Sequence, residues 1–252
     1  MPEHRFHTPG PIELEVKIPS GDIELETRDG EESIVWVEGT EKLVEQTTVE
    51  LQGNRLVVQL RGKKPFGFTI EIGGFSLGSE KLRIRAQIPH GSGAALATAS
   101  ADMHVDGRLR MLETRTASGD LLVRGEIERD ATVKTVSGDA RIDRVGGDFH
   151  ATSVSGDLRV DDVQGSVHAK SVSGDVRIGA VHGSEATLQS VSGDIQVGVA
   201  SGRNVDVDAN SVSGDLSSDV PLGSDAGEAH ADGPTLVLRG KTVSGDFRLV
   251  RG

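Results

Sequence analysis

The chain has 252 residues, 33 glycines, one tryptophan, six phenylalanines, no tyrosine and no cysteine, with a formal net charge of −12. The lack of cysteine removes disulfides, thiolate metal sites and thiol nucleophiles together, and so few aromatics require a thin core built from Val, Leu, Ile and Ala. The acidic balance argues against nonspecific nucleic-acid binding, which needs Lys and Arg to neutralise phosphates, and against adsorption to an anionic membrane.

The N-terminal segment from Met1 to His7 is charged and alternating, without the apolar core of a secretion signal. No window approaches the roughly 20 apolar residues that span a bilayer. The expectation is a cytoplasmic protein with no direct membrane insertion, association with the cell envelope being the alternative.

In chain order, Pro11–Ile18, Ile23–Thr27, Ser33–Glu38, Val44–Leu51 and Arg55–Gln59 read as strands. Ser20-Gly21-Asp22, Asp29-Gly30 and Gln52-Gly53-Asn54 read as the turns between them. Residues 62–78 read as a loop with a short strand at Phe68–Ile72, and Lys81–Ile88 as a further strand. Ala95–Thr98 and Met103–Val105 form a degenerate first repeat in which Ser100-Ala101-Asp102 stands for the motif that follows.

That motif is Ser-Gly-Asp. Its aspartates are Asp120, Asp139, Asp157, Asp175, Asp194, Asp215 and Asp246, separated by 19, 18, 18, 19, 21 and 31 residues. A fixed period means one short unit stacked on itself. Counting each aspartate as zero, position −3 is Ala117 and then always Val. Position +1 is apolar (Leu121, Ala140, Leu158, Val176, Ile195, Leu216, Phe247), and position +3 is nearly always aliphatic. A second pair of apolar residues stands at −8 and −6, as in Phe149 and Ala151 or Val167 and Ala169. Each turn therefore offers two short strands of period-two alternation and two tight corners, with the residues at −3, +1 and +3 expected inward.

Such a unit cannot bury its apolar face alone but can when stacked, with strands about 4.8 Å apart. The expected fold is all-β: a β-solenoid of about 18-residue turns, two-sided in preference to three-sided, with an N-terminal β-strand cap. Residues 1–92 are assigned to the cap and 93–252 to the solenoid, with an irregular insertion near 216–234. Phe247, large at an otherwise aliphatic position, is expected to close the last open face.

For chemistry, the aspartate column is read as structural capping by Ser and Asp, which hydrogen-bond the turn's own amides, and secondarily as a cation site. His150 and His168, 18 residues apart, are expected to stack on the surface without a third metal ligand. One serine in every turn argues for structure rather than for a hydrolase nucleophile. Arg141, Arg159 and Arg177 form an outward ladder near Asp143, Asp161 and Asp162, for which exposed ion pairing is the plain reading.

The segments Ile12-Glu13-Leu14-Glu15-Val16 through Ser20-Gly21-Asp22-Ile23-Glu24-Leu25, the strand Leu82 to Pro89 with His90-Gly91, and Thr135-Val136-Ser137-Gly138-Asp139 with its successors resemble the bacterial adhesin-type family of β-strand repeats, domain-of-unknown-function family 4097 (DUF4097), over residues 10–250. The resemblance implies a β-solenoid and an adhesion-like role, and supplies no catalytic residues. The expectation is a non-enzymatic binding module without catalytic, metal or cofactor residues. Its partner is an unidentified protein or glycan, and its ends are able to self-associate. An intracellular scaffold or stress-system interaction protein is the alternative, and an enzyme ranks third.

Overall fold

The computed structural model describes residues 2–61, 81–220 and 233–252. The strand expected at Phe68–Ile72 lies outside the described residues. The first part of the chain forms β1 (Glu3–His7), β2 (Glu13–Arg28), β3 (Glu32–Glu38), α1 (Glu41–Gln46), β4 (Thr47–Gln52), β5 (Arg55–Leu60), β6 (Leu82–Pro89) and β7 (Gly93–Leu109). Paired short strands follow: β8 (Met111–Arg115) with β9 (Leu121–Ile127), β10 (Ala131–Lys134) with β11 (Ala140–Val145), β12 (Phe149–Thr152) with β13 (Leu158–Val163), and β14 (Val167–Lys170) with β15 (Val176–Val181). Then come β16 (Glu185–Gln189) with β17 (Ile195–Val199), β18 (Asn204–Ser211) with β19 (Leu216–Ser218), and β20 (Thr235–Thr242) with β21 (Phe247–Arg251).

The protein is an all-β solenoid with two strands per coil. One face stacks β7, β8, β10, β12, β14 and β16 in parallel register. The other stacks β7, β9, β11, β13, β15 and β17. Alternation drives this, since a strand with one apolar side must bury that side against the opposite face. Ala131, Phe149, Val167 and Ala186 form one inward column and Ala140, Leu158, Val176 and Ile195 another, all at most 4 % exposed. Phe149, the bulkiest of these, stands beside Ala131 and Val167 in its column.

Strands β2 and β7 are long enough to run through both faces. They pair in parallel from Glu13–Gly93 to Glu26–Asp106. Ser20-Gly21-Asp22, expected as a turn, is instead the bend within β2, stacked on Ser100-Ala101-Asp102 within β7. The two halves expected at 95–98 and 103–105 are likewise one strand. Beyond β2 the stack continues with β5 and β6, also parallel, and then changes direction: β4 pairs antiparallel with β5, β3 with β6, and β1 with β3.

Residues 44–51, expected as one strand, divide into the end of α1 and β4. Glu41-Lys42-Leu43-Val44-Glu45-Gln46 is rich in straight-chain helix formers, and the Thr47 hydroxyl closes the helix on the Leu43 carbonyl at 2.8 Å.

The C-terminal order is also not the sequence order. β20 pairs with β16 on one side and β18 on the other, and β21 lies between β17 and β19. The last coil in sequence is therefore inserted beneath the one before it. Phe247, expected as a cap, is 2 % exposed between Ile195 and Leu216. A Cβ on Gly240 would fall 2.2 Å from the Phe247 ring, so glycine there makes room for the aromatic. Leu216–Ser218, assigned to the insertion, are strand; residues 221–232 of that insertion lie outside the described residues.

Candidate binding edge

The repeated corner is built in three layers. At its base sits position −4, always Ser or Thr: Thr135, Ser153, Ser171, Ser190 and Thr242 are all 5 % exposed or less. Each hydroxyl accepts the N–H of the motif glycine at 2.9–3.0 Å, satisfying a donor that would otherwise be buried alone. The glycine itself is compulsory because the coils approach closely. A Cβ on Gly156 would lie 2.0 Å from the Gly138 carbonyl oxygen, and one on Gly174 2.0 Å from that of Gly156.

Above the hydroxyl comes the aspartate column, which clamps coil to coil. The backbone N–H of Asp139 donates to Oδ1 of Asp120, Asp157 to Asp139, Asp175 to Asp157 and Asp194 to Asp175, all at 2.9 Å. Asp120 donates likewise to Asp102 at 3.0 Å. The order then follows space rather than sequence, Asp246 donating to Asp194 and Asp215 to Asp246. Capping by aspartate thus acts between coils. The serine part of the expectation shifts: the −2 serines Ser137, Ser155, Ser173 and Ser192 are exposed, and the capping hydroxyl is the one at −4. In every coil from Asp102 to Asp194, and in that of Asp246, one carboxylate oxygen is committed to an amide. Among the described residues no three His, Asp or Glu side chains come together to hold a metal ion.

The outermost layer is position −3, where the valines face solvent rather than the core. Val136, Val154, Val172, Val191 and Val243 are 41–47 % exposed, and Val212 is 80 % exposed. The reason is parity. Positions −8, −6 and −4 are inward, so the strand's alternation turns −5 outward, and the bend that seats the −4 hydroxyl under the glycine carries −3 to the ridge. These valines run in one line along the corner. Two residues before them lies an outward row containing Lys134, Lys170 and Lys241, all exposed, with Thr152 and Gln189 interspersed. The aspartate column borders the other side.

The remaining candidates are arranged differently. His150 and His168 stack with ring centroids 5.1 Å apart and planes 6° apart. Their in-plane lone pairs run parallel and do not converge on a common metal. Arg141, Arg159 and Arg177 are in register and exposed. Arg159 bonds Asp161 at 3.0 Å and Arg177 bonds Asp175 at 2.8 Å. A shallow open groove of about 520 Å³ crosses the second face over Gly107 and Gly125, between Arg108, Glu126, Arg144 and Asp162. Its polar groups are largely spoken for: the Gly125 N–H donates to Asp143 at 3.0 Å, and Arg144 approaches Asp162 at 3.7 Å.

Perturbed carboxylates lie away from this edge, at the N-terminal end. Burial pushes Glu15 up, but Lys17 and Arg55 together outweigh it and hold its carboxyl below the usual carboxylate range. Exposed Glu3 is likewise lowered, by hydrogen bonds from Arg5 and from the Trp36 indole.

The family model described as Toastrack DUF4097 matches residues 12–249, spanning every coil and both long strands. The chain belongs to the Toastrack DUF4097 family. No curated relative matches it at a significant level. Among solved structures, this Toastrack solenoid is similar to a protein of Parabacteroides distasonis described as a putative lipid binding protein, with a TM-score of 0.58, 15 % identity, and coverage of 99 % of this chain and 96 % of that one. It is also similar to one of Bacteroides fragilis described as a putative adhesin, with a TM-score of 0.54, 14 % identity, and coverage of 98 % and 96 %. At such identity these likenesses establish the fold. Among the described residues no helix is long and apolar enough to cross a membrane.

Proposed function

We propose that this Toastrack solenoid is a non-enzymatic, adhesion-like binding module that grips a partner protein along its valine ridge. The observation that carries this is the line of six outward valines, five of them 41–47 % exposed, at positions where an inward residue would have served packing alone. Isolated exposed apolar side chains need no explanation, but a continuous apolar strip marks an interaction surface. The rigid stack fixes the spacing of the valines, so a partner meets a preorganised surface. Aliphatic side chains flanked by lysines and aspartates fit an amphipathic polypeptide better than a glycan, whose sugar rings are usually held by aromatic faces. The description of one structural relative as a putative adhesin supports the same reading, and deployment at the cell envelope goes with it.

The test is retention under flow of beads carrying the whole chain, on surfaces coated with extracellular matrix protein, with glycan, or left bare. Retention on the protein surface should be lost in the triple variant Val154→Ser, Val172→Ser, Val191→Ser and kept in Arg141→Ala, Arg159→Ala, Arg177→Ala. Equal retention of both variants would refute the ridge as the binding edge.

A further inference from the structure

The C-terminal end of the stack carries a second surface of a different kind. In the coil formed by β18 and β19, Val205, Val207 and Ala209 lie over Leu236, Leu238 and Gly240, and Leu216 lies over Phe247. They occupy the inward columns, yet the three β18 residues are only half-buried and Leu216 is 52 % exposed, against 0 % for Leu236 and Leu238 and 2 % for Phe247. Among the described residues β18 pairs only with β20, and β19 only with β21. Half of the backbone donors and acceptors of these strands therefore face away from the stack, as at any sheet edge. The aspartate clamp stops there too. Asp215 donates its N–H to Asp246 at 2.9 Å, while among the described residues no following amide reaches its own carboxylate. Apolar columns, backbone ladder and carboxylate clamp all continue to this edge and end on it together.

The charge on the edge says what can complete it. The charged residues of β18 are Asp206 and Asp208, both outward and exposed and both without an ion pair among the described residues. A second copy added across a two-fold axis would run antiparallel to β18. In the registers that set Val207 opposite Val205 or opposite itself, it would set Asp206 against itself or against Asp208. Like charges directly opposite destabilise a strand pair. An extended segment with Lys or Arg at alternate outward positions and Val-like residues between them would meet both demands. Its cations would lie opposite Asp206 and Asp208, and its apolar side chains over Val205, Val207 and Ala209.

We propose that the terminal coil is a strand-addition site for an extended basic segment of a partner protein, and that Asp206 and Asp208 select that partner and exclude a second copy of this chain. The main-chain ladder supplies affinity and the alternate side chains supply choice. This surface is independent of the valine ridge, and either reading can fail without the other.

The test uses the full chain and a fluorescein-labelled peptide, Thr-Val-Lys-Val-Lys-Val-Thr, followed by fluorescence anisotropy. Saturable binding is expected that weakens with added salt. It should fall about tenfold in Asp206→Lys, Asp208→Lys, the scale of two exposed attractions turned into repulsions. The same peptide with Glu for Lys should not bind. Circular dichroism of the variant should match the parent, since both aspartates are exposed. Equal affinity for parent and reversed variant, or no binding of the Lys peptide at millimolar concentration, overturns the proposal. Light scattering supplies an independent arm. The parent should be monomeric, and Asp206→Asn, Asp208→Asn should gain a dimer. A parent that is already a dimer, and that the Lys peptide does not dissociate, would mean that a second copy owns the edge.

Discussion

The middle of the solenoid and its two ends bury the same kinds of residue by different means. In the coils around Asp139 to Asp194, an inward side chain has a counterpart directly above and below, and the corner aspartate both donates its N–H to the carboxylate before it and accepts the amide after it. At the N-terminal end the stack stops by changing strand direction. β1, β3 and β4 run antiparallel, and charged side chains tie them down: Arg85 bonds Glu24 at 2.8 Å and approaches Glu38 at 3.6 Å, and Trp36 bonds Glu3 at 3.0 Å. The C-terminal end carries exposed ion pairs, Arg239 with Glu185 and Arg248 with Asp219, both at 3.2 Å. It places its largest inward side chain, Phe247, one coil below the surface and leaves a thinner coil of Val205, Val207 and Ala209 outside. Stacking therefore stabilises a residue in proportion to having neighbours on both sides, and the sequence of each coil reflects its place in space rather than in the chain.

The largest effect that could break this comparison is at the inserted coil. Phe247→Ala should destabilise by about 3–5 kcal/mol, as removal of a buried aromatic does when the surroundings cannot collapse. Leu216→Ala, in the same column one coil outward, should cost less than about 1 kcal/mol because its side chain is already half in water. Urea unfolding of both variants measures the difference directly. Similar losses for the two would mean that the terminal coil is as well packed as those beneath it, and the contrast between middle and end would fall.

A smaller effect separates middle and end through the corner hydroxyl. Ser171→Ala leaves the buried N–H of Gly174 without its 2.9 Å acceptor and should cost about 1–3 kcal/mol. Ser211→Ala, in the half-buried terminal corner, should cost a fraction of that because water can replace the lost partner. Ser173→Ala, at the exposed −2 position, should lie within about 0.5 kcal/mol of the parent. If Ser173 rather than Ser171 proved critical, the motif serine would be the capping residue after all.

Much of this was legible in the repeat. The step of 18 or 19 residues places Asp102, Asp120 and Asp139 in one column, and the blocks at −8, −6, +1 and +3 mark the two faces. The parity of the corner was also available, though easily misread. With −8 and −6 inward, continued alternation puts −4 inward, and the unbroken run of Ser or Thr there was the sign of a buried hydroxyl bonding backbone. Valine at −3 looked like core because apolar residues usually are, and only the bend shows it to be the ridge. The insertion of β20 and β21 beneath β18 and β19 could not be read from spacing, because each coil carries the same motif and fits either place. The pairing of Gly240 with Phe247 was its only local trace. The candidate binding edge is legible in part for the same reason: its valines are plain in the sequence, but their exposure is a property of the corner.

The smallest expected effect distinguishes the two ends from each other. Glu15 lies on β2 where the cap meets the stack, mostly buried, with Lys17 on its own strand and Arg55 on the neighbouring β5. Its carboxyl is held below the usual range because those two cations outweigh the effect of burial. A folded value below the unfolded one, about 4.3, means that the stabilisation is fully present above that pH and is lost as pH falls through the folded value. Lys17 and Arg55 are both about half exposed, so solvent screens the attraction and the contribution is about 1 kcal/mol or less. Glu15→Gln should therefore unfold at lower urea than the parent at pH 7, and the gap should narrow progressively as the pH is taken below 4. A gap that stays constant with pH would assign the loss to packing of the side chain and not to its charge. A pH-dependent narrowing would show that the N-terminal end is closed partly by ion pairing of a buried carboxylate, whereas the terminal strand β18 leaves Asp206 and Asp208 exposed and unpaired among the described residues.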